Sequence, residues 1–192
     1  MSNARRPSNK ETYVSVDIEA DGPLPGVHSM LSIGAVDVLA PDRTFYAELK
    51  PVSETFVPEA LAVSGLDRQK LAAEGREPAE AMEDLVRWTK GLGGRPVFVS
   101  FSTWDWSFVY YYLIRYSGRS PFGHSSLDIK SYYMGRFGSR WGDTAKRRIA
   151  EQRAALLKGL GPHTHNALDD AKEQGELFRR VMESPTASFQ KT

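Results

Sequence analysis

Thr12-Tyr13-Val14-Ser15-Val16-Asp17-Ile18-Glu19 decides how this chain is read. Its β-branched and aromatic residues favour a strand over residues 12–18. Side chains alternate along a strand, so Asp17 and Glu19 share one face. An acidic pair on a strand is a weak sign alone. It gains meaning from Asp105 in Thr103-Trp104-Asp105-Trp106, and from His165 and Asp170 in His165-Asn166-Ala167-Leu168-Asp169-Asp170-Ala171. These residues are too far apart in the chain to serve one another locally. If the fold gathers them, four carboxylates make a cage of hard oxygen ligands suited to magnesium or manganese.

Working outward, Met30–Leu39 and Thr44–Leu49 read as further strands, with Pro41-Asp42-Arg43 as the turn of a hairpin. Pro58–Leu61 opens a short helix. Pro78–Leu92 carries Ala81, Met82, Leu85, Val86 and Trp88 at helical spacing, and Gly91, Gly93 and Gly94 end it. Pro96–Phe101 is a short apolar strand of the kind buried on both faces. Trp104–Tyr116 follows as an aromatic-rich helix, Ser126–Asp128 as a last strand, and Ile129–Phe137 as a helix. Residues 138–162 are basic and resist assignment, with helix expected over Thr144–Leu157. Asn166–Met182 reads as the C-terminal helix. The order implies an α/β fold: one mixed five-stranded sheet flanked by helices.

The 192 residues and 41% hydrophobic content suit one domain with a real core. The expected organisation is a disordered tail over 1–11, a catalytic domain over 12–184 and a C-terminal tail over 185–192. No cysteine is present, which excludes disulfides and thiolate metal sites. The polar start has no apolar core and reads as no signal peptide, and no apolar run is long enough to span a membrane. A cytoplasmic location is the default. The net charge of +1 hides an asymmetry: residues 1–129 hold 13 Lys and Arg against 17 Asp and Glu, whereas residues 130–165 hold 8 against 2. Basic side chains just ahead of His165 suit a polyanionic substrate.

The chemistry implied is hydrolysis of a phosphodiester. Its negative charge repels hydroxide, and two divalent ions about 4 Å apart relieve this by activating a water and stabilising the leaving oxygen. Asp17, taken as the deepest carboxylate, would bridge both ions. Glu19 and Asp170 would complete the nucleophile side, and Asp105 the other. His165 is the candidate general base, because imidazole side chains as a class exchange protons near neutral pH.

These motifs resemble the DEDDh superfamily of 3′–5′ exonucleases, which includes ribonuclease T, oligoribonuclease and the bacterial proofreading subunit. The likeness spans roughly residues 12–183. The first motif, Asp-x-Glu with a following Gly, is Asp17-Ile18-Glu19-Ala20-Asp21-Gly22. Leu31-Ser32-Ile33-Gly34-Ala35-Val36 is similar to the family's second strand, and Ala62-Val63-Ser64-Gly65-Leu66 to its loop before the first helix. The third motif, His-x-Ala-x-x-Asp-Ala, is complete as His165, Ala167, Asp170 and Ala171. The second departs: the usual His-Asn-x-x-Phe-Asp is Ser100-Phe101-Ser102-Thr103-Trp104-Asp105. The resemblance implies an RNase H-like fold and a 3′–5′ exonuclease that acts on the 3′ end of single-stranded nucleic acid and releases nucleoside 5′-monophosphates. By likeness to RNA-trimming members, RNA is the preferred substrate. A DNA exonuclease and a catalytically weak nucleic-acid-binding relative are the alternatives. A homodimer is expected by the same resemblance.

Neighbouring residues have plainer readings. Asp169 is helix N-terminal charge, Asp21 a loop residue, Asp128 a helix cap, and His28 and His124 loop residues. His163 competes with His165 for the base role. Of the aromatic run Trp104, Trp106, Phe108, Tyr110, Tyr111 and Tyr112, one or two should meet substrate and the rest should pack. Trp104 is the substrate candidate, with Arg140, Lys146, Arg147 and Arg148 gripping the backbone.

Overall fold

The computed structural model of the protein describes residues 10–161 and 164–185. A five-stranded sheet runs in the order β3-β2-β1-β4-β5, built from β1 (Glu11–Ala20), β2 (Met30–Asp37), β3 (Ala40–Glu48), β4 (Arg95–Ser100) and β5 (Ser126–Asp128). β1 pairs antiparallel with β2, and β2 with β3, while β4 and β5 join the other side in parallel. This is the mixed sheet that the order of elements implies. β1 begins at Glu11, one residue before the expected tail boundary, and pairs there with Arg95.

The first hairpin differs from expectation. Its turn is Val38-Leu39, not Pro41-Asp42-Arg43. Asp37 Oδ1 accepts the Leu39 amide at 3.1 Å, which closes the turn early. Pro41, Asp42 and Arg43 instead bulge from β3 between the pairs Val36–Thr44 and Asp37–Ala40. A proline is tolerated there because β3 is an edge strand.

Helices cover both faces. Val14, Val16 and Ile18 of β1 pack against Met82, Leu85 and Val86 of α3 (Pro78–Leu92) and against Phe108, Val109 and Tyr112 of α4 (Thr103–Tyr112). Two short helices, α1 (Pro58–Ser64) and α2 (Arg68–Glu74), precede α3. Ala62-Val63-Ser64, expected as loop, is the last turn of α1. After β5 come α5 (Ile129–Phe137), a 3₁₀ turn at Trp141–Thr144 and α6 (Lys146–Gln152), so the basic segment is partly helical.

The opposite face, which carries Asp17 and Glu19, is covered by α7 (Ala167–Glu183). Phe178 is fully buried, with its ring 5.4 Å from Tyr13 and 5.3 Å from Tyr132. Burying such a side chain is worth roughly 1.5–3 kcal/mol. The Asn166 cap, which accepts the amides of Leu168 and Asp169, is worth about 1 kcal/mol. Packing therefore holds the helix, and the cap sets where it starts.

α7 approaches the sheet at backbone distance. A Cβ on Gly34 would stand 2.3 Å from the Ala167 carbonyl carbon and 2.4 Å from Leu168 Cα. Gly34 is the register partner of Asp17, so this contact puts the start of α7 beside the first acid. Gly34→Ala should therefore destabilise the fold by about 1–3 kcal/mol through overpacking, and lower activity further by displacing the segment that bears His165. Gly91→Ala, at a helical position with nothing within 4 Å, should be neutral or stabilising. Urea denaturation of both variants checks this; equal behaviour would refute it.

Candidate active site

The parallel pairing of β1 with β4 ends at Ser15–Val99, while β1 and β2 remain paired through Asp17 and Glu19. A crevice opens where β4 parts from β1, at the carboxyl ends of the parallel strands, where open α/β sheets commonly bind ligands. It forms a cavity of about 600 Å³ whose lining includes Asp17, Glu19, Asp105, Asp170 and His165. All five residues singled out from sequence meet there, from one chain.

Oxygens of Asp17, Glu19 and Asp170 lie within 4.8 Å of one another. Asp105 reaches the same cavity from the first turn of α4, a helix capped by Ser102, whose Oγ accepts the Trp104 amide at 3.2 Å. Asp170, Asp105 and Glu19 are 2%, 6% and 8% exposed, and Asp17 is partly buried at the crevice, with its carboxyl group largely removed from water.

Loss of water, then the charges of Asp105, Glu19 and Asp170, hold Asp17 well above its ordinary pKa, while Lys146 opposes the rise. Glu19 is pushed up to about 7 by burial and by the charges of Asp170 and Asp105. Asp105 is also pushed up to about 7, by burial, against hydrogen bonds with backbone groups of Asp105, Ile18 and Ser102. Crowded, desolvated carboxylates need positive charge nearby. Their all-oxygen donor set fits a hard divalent cation.

Thr164 ties the loop before α7 to the cluster, with its amide donating to Asp170 Oδ1 at 2.9 Å. The next residue, His165, has φ of 57°, a left-handed conformation uncommon outside glycine. Such strain gathers at functional sites, and here it accompanies a side chain that lines the cavity. His163, the rival base, lies outside the described residues.

Of the substrate candidates, Trp104 and Lys146 line the cavity and Arg140, Arg147 and Arg148 do not. Trp104 Nε1 donates to Pro23 O at 3.2 Å, joining α4 to the loop after β1. Lys146 forms an ion pair with Glu173. Arg147 and Arg148 are exposed and pair with Glu151, and Arg140 is exposed at the start of the 3₁₀ turn. Of the aromatic run, Phe108 and Tyr112 are core, Trp106 packs at a tilt on Phe98 with centroids 4.8 Å apart, and Tyr110 meets His124.

The plainer readings agree with the structure. Asp128 caps α5 by accepting the Ser131 amide at 2.6 Å. Asp169 is exposed in the first turn of α7. Asp21 is fully buried away from the cavity, where it accepts the Ser29 amide at 2.6 Å and pairs with Arg68 at 3.0 Å. His28 is a buried loop residue, and a Cβ on Gly22 would stand 2.2 Å from its ring. Sequence reading missed Gln174. From α7 it donates to Val16 O at 2.8 Å and accepts the Phe101 amide at 2.7 Å, joining β1 to the β4–α4 turn. Its spacing of one helical turn from Asp170 was the available signal.

The raised carboxylates carry a linkage consequence. Burial and crowding push Glu19 and Asp105 up to about 7, against ordinary values of 4.5 and 3.8. The fold keeps their protons where the unfolded chain has lost them, so their effect on stability worsens as pH rises from about 4 to about 7. Divalent ions bind the deprotonated cage. The rise in melting temperature on adding magnesium or manganese should thus be larger at about pH 8 than at about pH 5. Equal shifts at both values would show that these acids are not the ligands.

No family model matches the chain. It is similar to the 3′–5′ DNA exonuclease Cap18 of Escherichia coli, with 42% identity over 178 residues covering 91% of this chain and 93% of that protein. Its fold is similar to the nuclease domain of 3′hExo, a DEDDh family member solved with bound rAMP, at TM-score 0.73 and 16% identity over 93% of this chain and 94% of that one. It is also similar to E. coli Exonuclease I in complex with a dT13 oligonucleotide, at TM-score 0.62 and 13% identity over 90% of this chain and 41% of that one. The last two likenesses show the fold, which is RNase H-like. With the first, they make this chain a member of the DEDDh 3′–5′ exonucleases.

Proposed function

We propose that this exonuclease removes nucleotides from the 3′ end of single-stranded DNA as 5′-monophosphates, using two divalent ions. The observation that carries the reading is the meeting of Asp17, Glu19 and Asp170 within 4.8 Å in a cavity shared with Asp105 and His165. DNA is favoured over RNA because the relative at 42% identity is named a DNA exonuclease. The RNA preference expected from sequence rests on family likeness, with no residue that reads a 2′-hydroxyl.

Asp17, Glu19 and Asp170 would hold one magnesium or manganese ion, and Asp17 with Asp105 the second. Such ions supply Lewis acidity toward a water and toward the leaving oxygen. His165 takes the proton of the attacking water. The water oxygen bonds to phosphorus, and the bond from phosphorus to the 3′ oxygen of the preceding nucleotide breaks, that oxygen keeping the electron pair and taking a proton from solvent to become the new 3′-hydroxyl. Trp104 supports the terminal base at the cavity wall, and Lys146 offsets phosphate charge. Arg140, Arg147 and Arg148 add attraction at longer range. A weak binder with no catalysis is disfavoured, because clustered carboxylates repel a phosphate unless ions offset them.

Among the described residues no helix is long and apolar enough to cross a membrane. A cytoplasmic location is consistent with that, and fractionation tests it. All five central residues come from one chain, so catalysis needs no homodimer; gel filtration decides whether one forms.

With 5′-labelled DNA and RNA strands, magnesium or manganese should give a ladder shortening from the 3′ end, faster on DNA and abolished by chelator or Asp17→Ala. His165→Ala should lower kcat by roughly 10²–10⁴-fold with metal affinity retained by calorimetry. Binding without cleavage in either metal would sink the enzyme mechanism, and faster cleavage of RNA would reverse the substrate assignment. If His163→Ala shows the larger loss, the proton acceptor is misassigned.

A further inference from the structure

One wall of the cavity continues outward as a row of alternating cations and rings. Phe101 lines the cavity, with Lys146 Nζ and Lys130 Nζ each 5.3 Å from its ring centroid. Lys130 Nζ also lies 5.2 Å from the centroid of Trp141. The row therefore runs Lys146, Phe101, Lys130, Trp141, from the carboxylate cluster to open surface.

Two features separate this row from ordinary packing. Lys146 is matched by Glu173, but among the described residues no carboxylate forms an ion pair with Lys130, whose neighbours are the two rings. Trp141 is 57% exposed, a large apolar surface for a side chain that usually hides most of its area. Elsewhere the same contact serves the core: Arg153 lies 3.9 Å over Phe137, a ring only 8% exposed. The outer end of the row has an open ring in Trp141 and, among the described residues, a cation without an ion pair in Lys130, while Phe101 is partly buried.

A single nucleic-acid strand repeats an anion and a flat ring at every nucleotide. A row that alternates cation and ring complements that repeat. Bases in a duplex stack on each other and leave no face for Trp141. Phe101 also stands where the family's second motif has Asn, so the departure from the motif supplies the inner ring of the row.

We propose that Phe101, Lys130 and Trp141 form a track for the nucleotides 5′ of the scissile bond, so that the enzyme favours single strands of several nucleotides over dinucleotides. This deepens the exonuclease reading and rests on it. Bases would lie on Phe101 and Trp141, and Lys130 would meet the phosphate between them.

Fluorescence anisotropy with chelator present tests the track without cleavage, using labelled dT strands of two to ten nucleotides. Repulsion by the acid cage then acts equally on all variants. Trp141→Ala should weaken binding of the ten-nucleotide strand about tenfold, with a loss that shrinks as the strand shortens, and Trp141→Tyr should restore most of it. Lys130→Gln should weaken binding and lower the salt dependence by about one ion. A KM rise for the long strand with metal should follow the same order. Loss equal at every length, or no loss at ten nucleotides, overturns the track. Failure of the wild-type protein to cleave any strand while the length-dependent binding loss persists would overturn the enzyme mechanism and keep the track.

Discussion

Helix α7 lies against the sheet with almost no side chain between their backbones. Gly34 on β2 leaves room for the Ala167 carbonyl, and Gly175 meets Ser15 of β1, where an added Cβ would be 3.0 Å from Ser15 Cβ. With Ala171 fully buried between them, positions 167, 171 and 175 form a seam spaced one helical turn apart. This close approach brings Asp170 within reach of the acids on β1. Larger residues along the seam would lift α7, and with it Asp170 and the loop bearing His165. Gln174, on the same side of the helix, then bonds to both β1 and the turn that leads to Asp105. One packing contact thus sets the relation of three separate segments.

The gathered acids oppose the fold that gathers them. Burial and mutual charge raise Asp17 well above its usual pKa and bring Glu19 and Asp105 to about 7. Such an arrangement persists because surrounding packing overdetermines it. A neighbouring loop shows how: the fully buried Asp21 joins Arg68 and the Ser29 amide, tying the loop after β1 to α2. Losing one partner of such a pair leaves an uncompensated buried charge, a cost of about 3–5 kcal/mol. Asp21 lies close in sequence to Glu19 and performs a different task, because its charge is already matched.

Much of the architecture was legible in the chain. Val14, Val16 and Ile18 alternate with Asp17 and Glu19, and strand geometry alone puts the acids on one face. Helical spacing in α3 and α7 marked their buried sides, and the three acidic motifs in order pointed to one site. Less legible was the hairpin turn. Pro41-Asp42-Arg43 has turn composition, but the pairing of Asp37 with Ala40 makes the turn earlier and forces those residues into a bulge.

By itself, then, the sequence determined the strand bearing Asp17 and Glu19, the helices bearing Asp105 and Asp170, and the chemical character of the set. Periodicity and residue chemistry are local properties, so they can be read without a fold. Tertiary structure decided which basic residues reach the cavity. Lys146 does, while Arg147 and Arg148, next to it in the chain, turn outward to Glu151. It also decided that Phe101 would sit between Lys130 and Lys146. Those outcomes depend on how α5, α6 and the β4–α4 turn pack together. That is a long-range balance of burial and charge which no local pattern encodes.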